Sequence, residues 1–122
     1  MKNFKNLKVW RNGIELVVDI YKTTETFPKG EIYGLTSQIR RSAISIPSNV
    51  AEGSGRSGDK DFNRFLDIAL GSSFELETQL IIANKLHFLT DPDFEELNRL
   101  LDIEQKMIVG LQKTLQTPPA RS

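Results

Sequence analysis

The sequence predicts an all-α protein, an antiparallel up-down-up-down four-helix bundle with a proline-kinked second helix. Three observations carry that prediction. Apolar residues recur at alternating spacings of three and four in four separate segments, the period of a helix with one buried face. The connections between those segments are short and marked by Gly or Pro. No segment shows strand alternation bounded by hairpin turns. At 122 residues the chain fits one domain over 1–122, with a core over about 7–116 and flexible termini.

The first helix is expected from about Leu7 to Thr24, with Leu7, Trp10, Ile14, Val17 and Tyr21 as its seam and Val18 beside it. Residues 1–6 are polar, with Phe4 free to pack back. Gly13 costs the helix about 1 kcal/mol relative to Ala, so it marks a close approach by another backbone. Phe27 and Pro28 end the segment, because a residue before proline is pushed out of helical geometry.

The second helix starts between Tyr33 and Thr36. Ile32, Leu35, Ile39, Ala43, Ile46 and Val50 keep one stripe across Pro47, which implies a single kinked helix. Pro47 removes the hydrogen bond to the Ala43 carbonyl at about 3 kcal/mol, a deficit that a Ser45 or Ser48 hydroxyl or a water would offset. Gly53 reads as the C-terminal cap.

Ser57 or Asp59 caps the third helix, which runs to about Leu86 along Phe62, Leu66, Ala69, Ser73, Leu76, Leu80 and Ala83, with Phe65 and Leu70 alongside. Gly71, Ser72 and Ser73 interrupt the bulk of that seam and either let a facing helix approach closely or leave room for large side chains across the gap. Thr90 or Asp91 caps the fourth helix, with Pro92 in its first turn. That helix carries Phe94, Leu97, Leu101, Ile108, Leu111 and Leu115 and stops before Pro118 and Pro119. Glu104 falls inside this seam. Lateral drift would carry it to the edge, whereas an inward position would demand a cation or hydroxyl partner.

Sixteen basic and sixteen acidic residues leave the chain neutral. Residues 1–56 hold nine basic and five acidic groups, and residues 57–122 hold seven and eleven. Such polarity suits head-to-tail association, one subunit's basic surface meeting the next one's acidic surface. The absence of cysteine excludes disulfides, thiolate zinc sites and thiol nucleophiles. No secretory leader and no apolar run of about 18 residues is present, so a cytoplasmic protein without a membrane role is expected.

Catalytic chemistry finds little material. A ferritin-like di-metal centre needs Glu-x-x-His on two helices, but His87 is the only histidine and Asn84 stands three before it. His87 is better read as a capping or packing residue at the end of the third helix. Ser42, Ser45 and Ser48 lie far in sequence from it, with no nucleophile turn. Residues Gly53 to Gly58 look like a phosphate loop but follow a helix rather than a strand and lack Gly-Lys-Ser/Thr. The expectation is no catalytic residue, no metal and no cofactor.

Two surface sets remain. Gln38, Arg41, Ser45, Ser48 and Glu52 share one side of the second helix, with Asn49 and Arg56 nearby and Glu75 available from the third. They form either a solvated face, a network pairing Glu52 with Arg56 and Arg41 with Glu75, or a polar interface between subunits. Lys2, Lys5, Lys8, Arg11, Arg40 and Arg41 compose a basic patch without the aromatic interleaving of nucleic-acid binders.

Several motifs together carry a family resemblance: Leu7-x-Val9-Trp10, Ile20-Tyr21, Phe27-Pro28, Tyr33-Gly34-Leu35, Gln38-Ile39-Arg40-Arg41, Ser45 through Gly53, Arg56, Phe65-Leu66-x-x-Ala69-x-Gly71-Ser72 and Glu75-Leu76. Over roughly residues 4 to 115 the chain resembles the 23S rRNA intervening-sequence proteins, also labelled S23 ribosomal proteins. The resemblance implies a bacterial antiparallel four-helix bundle that assembles as a homopentamer. Some members are encoded inside insertions of 23S rRNA genes. A related branch serves diversity-generating retroelements as a basic pentamer binding nucleic acid and reverse transcriptase, and this neutral chain departs from that branch. The functional expectation is a non-enzymatic oligomeric interaction protein with an RNA or nucleoprotein partner. The alternatives are a protein scaffold without a nucleic-acid role and, more remotely, an enzyme or anion-binding protein using the second helix's polar stripe.

Overall fold

The computed structural model describes residues 3–116. Four helices build it: α1 (Lys8–Thr24), α2 (Leu35–Ser54), α3 (Asp59–Lys85) and α4 (Asp91–Gln116). Each packs on its neighbour in sequence, α1 closes on α4, and the diagonal pairs stay apart. The result is a four-helix bundle around one core, with α2–α3 its most extensive seam and α1–α4 its sparsest. No strand occurs among the described residues.

The α3 stripe packs as its spacing predicts, with Phe62, Phe65, Leu66, Ala69, Ser73, Leu76, Leu80 and Ala83 all buried. Ile39, Ala43, Ile46 and Val50 of α2 meet them. From α4 come Leu97, Leu101 and Ile108.

Helix α1 departs from expectation. Its core face is Val9, Gly13, Leu16, Ile20 and Thr24, one position round from the predicted seam. Ile14, Val18 and Tyr21 are exposed instead, and Leu7, Trp10 and Val17 lie at the edge of the core. Ile32, placed in the α2 stripe by its spacing, precedes the helix and is exposed.

The small residues also sort differently. Gly53 lies within α2 and is no cap; a Cβ there would stand 2.6 Å from Phe65 Cβ and 3.0 Å from Phe62 Cδ1. It is a packing glycine that lets α3 come close. A Cβ on Gly71 would meet nothing within 4 Å, so the room in the α3 seam comes from buried Ser73. α2 continues as an α-helix across buried Pro47, and the Ser45 hydroxyl is spent on Ser72 of α3 at 2.8 Å rather than on the Ala43 carbonyl.

Caps differ as well. Gly58, not Ser57 or Asp59, precedes α3, with no side-chain cap. The Leu35 amide at the start of α2 donates to Glu31 Oε1 at 3.1 Å, out of a short 3-10 turn at Lys29–Glu31. Thr90, one of the two caps expected for α4, does cap it: its Oγ1 accepts from the Asp93 amide at 3.3 Å. α3 ends at Lys85 and leaves through His87, whose φ of 63° is left-handed. Its amide donates to the Asn84 carbonyl, and the Phe88 amide donates to that of Ala83, which is the Schellman pattern. At the N-terminus, Phe4–Asn6 form a 3-10 turn and the Phe4 ring packs 5.3 Å from Trp10.

Candidate functional site

The α2 stripe divides in two. On its α3 side, Ser42 Oγ donates to Glu75 Oε1 at 3.0 Å, Ser45 and Ser72 share a 2.8 Å hydrogen bond, and Asn49 Nδ2 donates to the Ser45 carbonyl and hydroxyl. This is a polar seam between two packed helices. Its helical logic is simple: 42, 45 and 49 are three and four apart and face α3 together. Glu75 therefore pairs with Ser42, and Arg41 is solvent-facing with no partner among the described residues. Gln38 and Ser48 are exposed too.

Glu52 and Arg56 form a 2.9 Å ion pair with side chains 56% and 45% exposed, too wet to count as a buried network. Arg56 also lies 4.9 Å over the Phe65 ring, and Arg64 takes another position 4.7 Å from it.

The other flank of α2 is more unusual. Because α1 uses one apolar stripe for the core, its second stripe is left over. Ile14, Tyr21, Ile32 and Ile44 each expose about two-fifths of their surface along the α1/α2 groove. Two adjoining clefts share Ile44: one of about 350 Å³ lined by Trp10, Ile14, Val17, Ile44, Pro47, Ser48 and Ala51, the other of about 390 Å³ lined by Tyr21, Ile32, Ser37, Arg40, Arg41 and Ile44. Each is at the small end of ligand clefts, and together they make a groove that is apolar at one end and cationic at the other. Arg40 is held in place by Thr24 Oγ1 at 2.9 Å, the Tyr21 carbonyl at 3.4 Å and the Tyr21 ring at 4.5 Å.

Beneath this groove lies Glu104, fully buried. Asn12 Nδ2 donates to its Oε1 at 3.0 Å and to the Leu100 carbonyl at 3.3 Å. The other oxygen, Oε2, has no hydrogen-bond partner among the described residues. It occupies the notch over Gly13, where an added Cβ would stand 2.8 Å from it and 3.3 Å from Pro47 Cβ. Burial raises the Glu104 carboxyl to about 7, against a smaller opposing effect of the Asn12 hydrogen bond. The sequence marks Gly13 and Glu104 as oddities on separate helices; that they touch, and that an amide rather than a cation meets the acid, emerges only in three dimensions.

The basic set is dispersed. Lys5, Lys8 and Arg11 are exposed at the start of α1, while Arg40 packs on Tyr21 and Thr24 at its other end. At about 1.5 Å per residue, the two groups lie roughly 15–20 Å apart along the helix. Lys2 lies outside the described residues. Among the described residues no group of three or more His, Asp or Glu is placed to hold a metal, and no helix is long and apolar enough to cross a membrane.

These features define a class: a four-helix bundle whose second helix is tied to the third by polar contacts and borders an open groove on the first. The chain belongs to the family described as the 23S rRNA-intervening sequence protein, which it matches over residues 5–110. Its fold is similar to that of a protein of unknown function from the S23 ribosomal protein family of Bacteroides thetaiotaomicron. The TM-score is 0.80 at 24% identity, covering 86% of this chain and 98% of the other. No curated protein matches the sequence.

Proposed function

We propose that this chain is a non-enzymatic interaction protein of the bacterial cytoplasm that works as a homo-oligomer through the α1/α2 groove. The observation that carries this reading is the surplus apolar stripe of α1, which the bundle itself does not cover. Contiguous apolar surface rimmed by charge is characteristic of an interaction face. The basic balance of residues 1–56 and the acidic balance of 57–122 favour a head-to-tail contact, which closes into a ring when its rotation permits. The family resemblance favours five protomers for that ring.

Light scattering coupled to size exclusion tests the reading. The expected mass is a multiple of the 13.8 kDa protomer, falling to 13.8 kDa in Ile44→Asp with helicity retained. A wild-type monomer at tens of micromolar overturns it.

A second reading adds an RNA or nucleoprotein partner. It is favoured by exposed Arg41, Lys5, Lys8 and Arg11, which recur around an oligomer. Binding to structured RNA should then weaken linearly in log–log form as salt rises. Absence of binding at low salt leaves a scaffold that joins proteins alone.

A further inference from the structure

The α1/α2 groove and the buried acid share a wall. Pro47 lines the groove beside Trp10 and Ile14, and its Cβ closes on the notch over Gly13 that holds Glu104 Oε2. A few atoms therefore separate an unpartnered carboxylate oxygen from an open cleft.

We propose that Glu104 is a proton-operated support for the floor of the groove: neutral, it stays dry beneath Gly13 and Pro47, and ionised, it draws water to Oε2 and loosens that floor. The surroundings leave water as the only relief. α1 faces the acid with Asn12 and Gly13, while Arg11 and Glu15 are exposed. α2 offers Pro47, and its Arg40 is bound to Thr24 and Tyr21. On α3, Glu75 and Glu77 are engaged by Ser42 and Gln105, and on α4, Asp102 pairs with Lys106 at the surface. Thus no cation among the described residues reaches Oε2, and ionisation there is opposed by desolvation without compensation. The acid's elevation to about 7 places the transition near neutrality. Glu104 reaches that notch across the α1–α4 seam, the sparsest in the bundle.

Trp10 is the chain's one tryptophan and lines the cleft, so its emission reports the floor directly. The experiment follows Trp10 fluorescence from pH 5 to 9 in wild type, Glu104→Gln and His87→Gly, the last a control for the one histidine. Wild type and His87→Gly should shift with a midpoint near 7, and Glu104→Gln should lose the transition. A flat wild-type profile, or the same transition in Glu104→Gln, overturns the proposal. Should Glu104→Gln fail to fold, carbon-13 titration of the wild-type Glu104 carboxyl decides: a midpoint near 7 supports it, and one below 5 overturns it.

Discussion

Asn12 Nδ2 donates to Glu104 Oε1 at 3.0 Å, tying α1 to α4 through a fully buried acid whose second oxygen has no partner among the described residues. The folded state holds the proton more tightly than an unfolded chain, where the carboxyl returns to about 4.5. Between those values the native state carries one proton more than the unfolded state, so stability falls as pH rises. The loss begins near pH 4.5 and is complete above about 7, reaching about 3 kcal/mol. Urea denaturation at pH 5 and pH 8 should show it, and Glu104→Gln should remove most of the difference. Asn12→Ala deletes the one donor and should destabilise by about 1–3 kcal/mol, more at pH 8 than at pH 5.

Glycines at four helical positions should respond with opposite signs. A Cβ at Gly53 meets Phe65 Cβ at 2.6 Å, and one at Gly13 meets Glu104 Oε2 at 2.8 Å. Gly53→Ala and Gly13→Ala should therefore lower the melting temperature despite better helix propensity, Gly53→Ala the more severely, because the Phe65 stem cannot swing away. Gly71 and Gly110 have nothing within 4 Å, and their Ala variants should gain about 0.5–1 kcal/mol each. Thermal melts of the four variants check the ordering.

The physical reason for the uneven legibility of this sequence lies in α1. Where a stripe is made of large apolar residues and nothing competes with it, as along Phe62 to Ala83 on α3, spacing alone locates the core. On α1 two stripes compete, and the true one contains Gly13 and Thr24, which look like interruptions. Gly13 faces inward because Glu104 and Pro47 need the space, a requirement set by two distant helices. The candidate site was readable to a similar extent. Spacing singled out Ser45 but not Ser42 or Arg40, and the partners Ser72, Tyr21 and Thr24 did not stand out either, since nothing local distinguishes a serine or threonine that meets a neighbouring helix. His87 was legible as a residue at the end of α3, but its left-handed backbone was hidden by the absence of the glycine that usually signals it.

That backbone gives a clean test. At φ 63° a side chain with a Cβ costs about 1 kcal/mol, and the Schellman hydrogen bonds do not involve the imidazole. His87→Gly should therefore stabilise the protein by about that amount, partly offset by the greater freedom of glycine in the unfolded chain. A lower melting point in this variant would mean that the ring makes a contact stronger than the strain it carries.

The α2–α3 seam predicts a contrast between a buried hydroxyl and an exposed ion pair. Ser42 is buried and gives its proton to Glu75, so Ser42→Ala removes a hydrogen bond to a charged acceptor and should cost about 1–2 kcal/mol. Glu75 itself is exposed and can turn to water, which keeps the cost from rising further. Glu52→Gln breaks the 2.9 Å pair with Arg56, but both groups are already hydrated and Arg56 retains its place over Phe65. Its effect on stability should stay within about 0.5 kcal/mol and shrink further in salt. Denaturation of the two variants at low and high ionic strength distinguishes them: Ser42→Ala should be weaker at both, and Glu52→Gln should match wild type at high salt. If Glu52→Gln instead changes the mass in light scattering while leaving the melt unaltered, the outer half of the α2 stripe belongs to the contact between protomers.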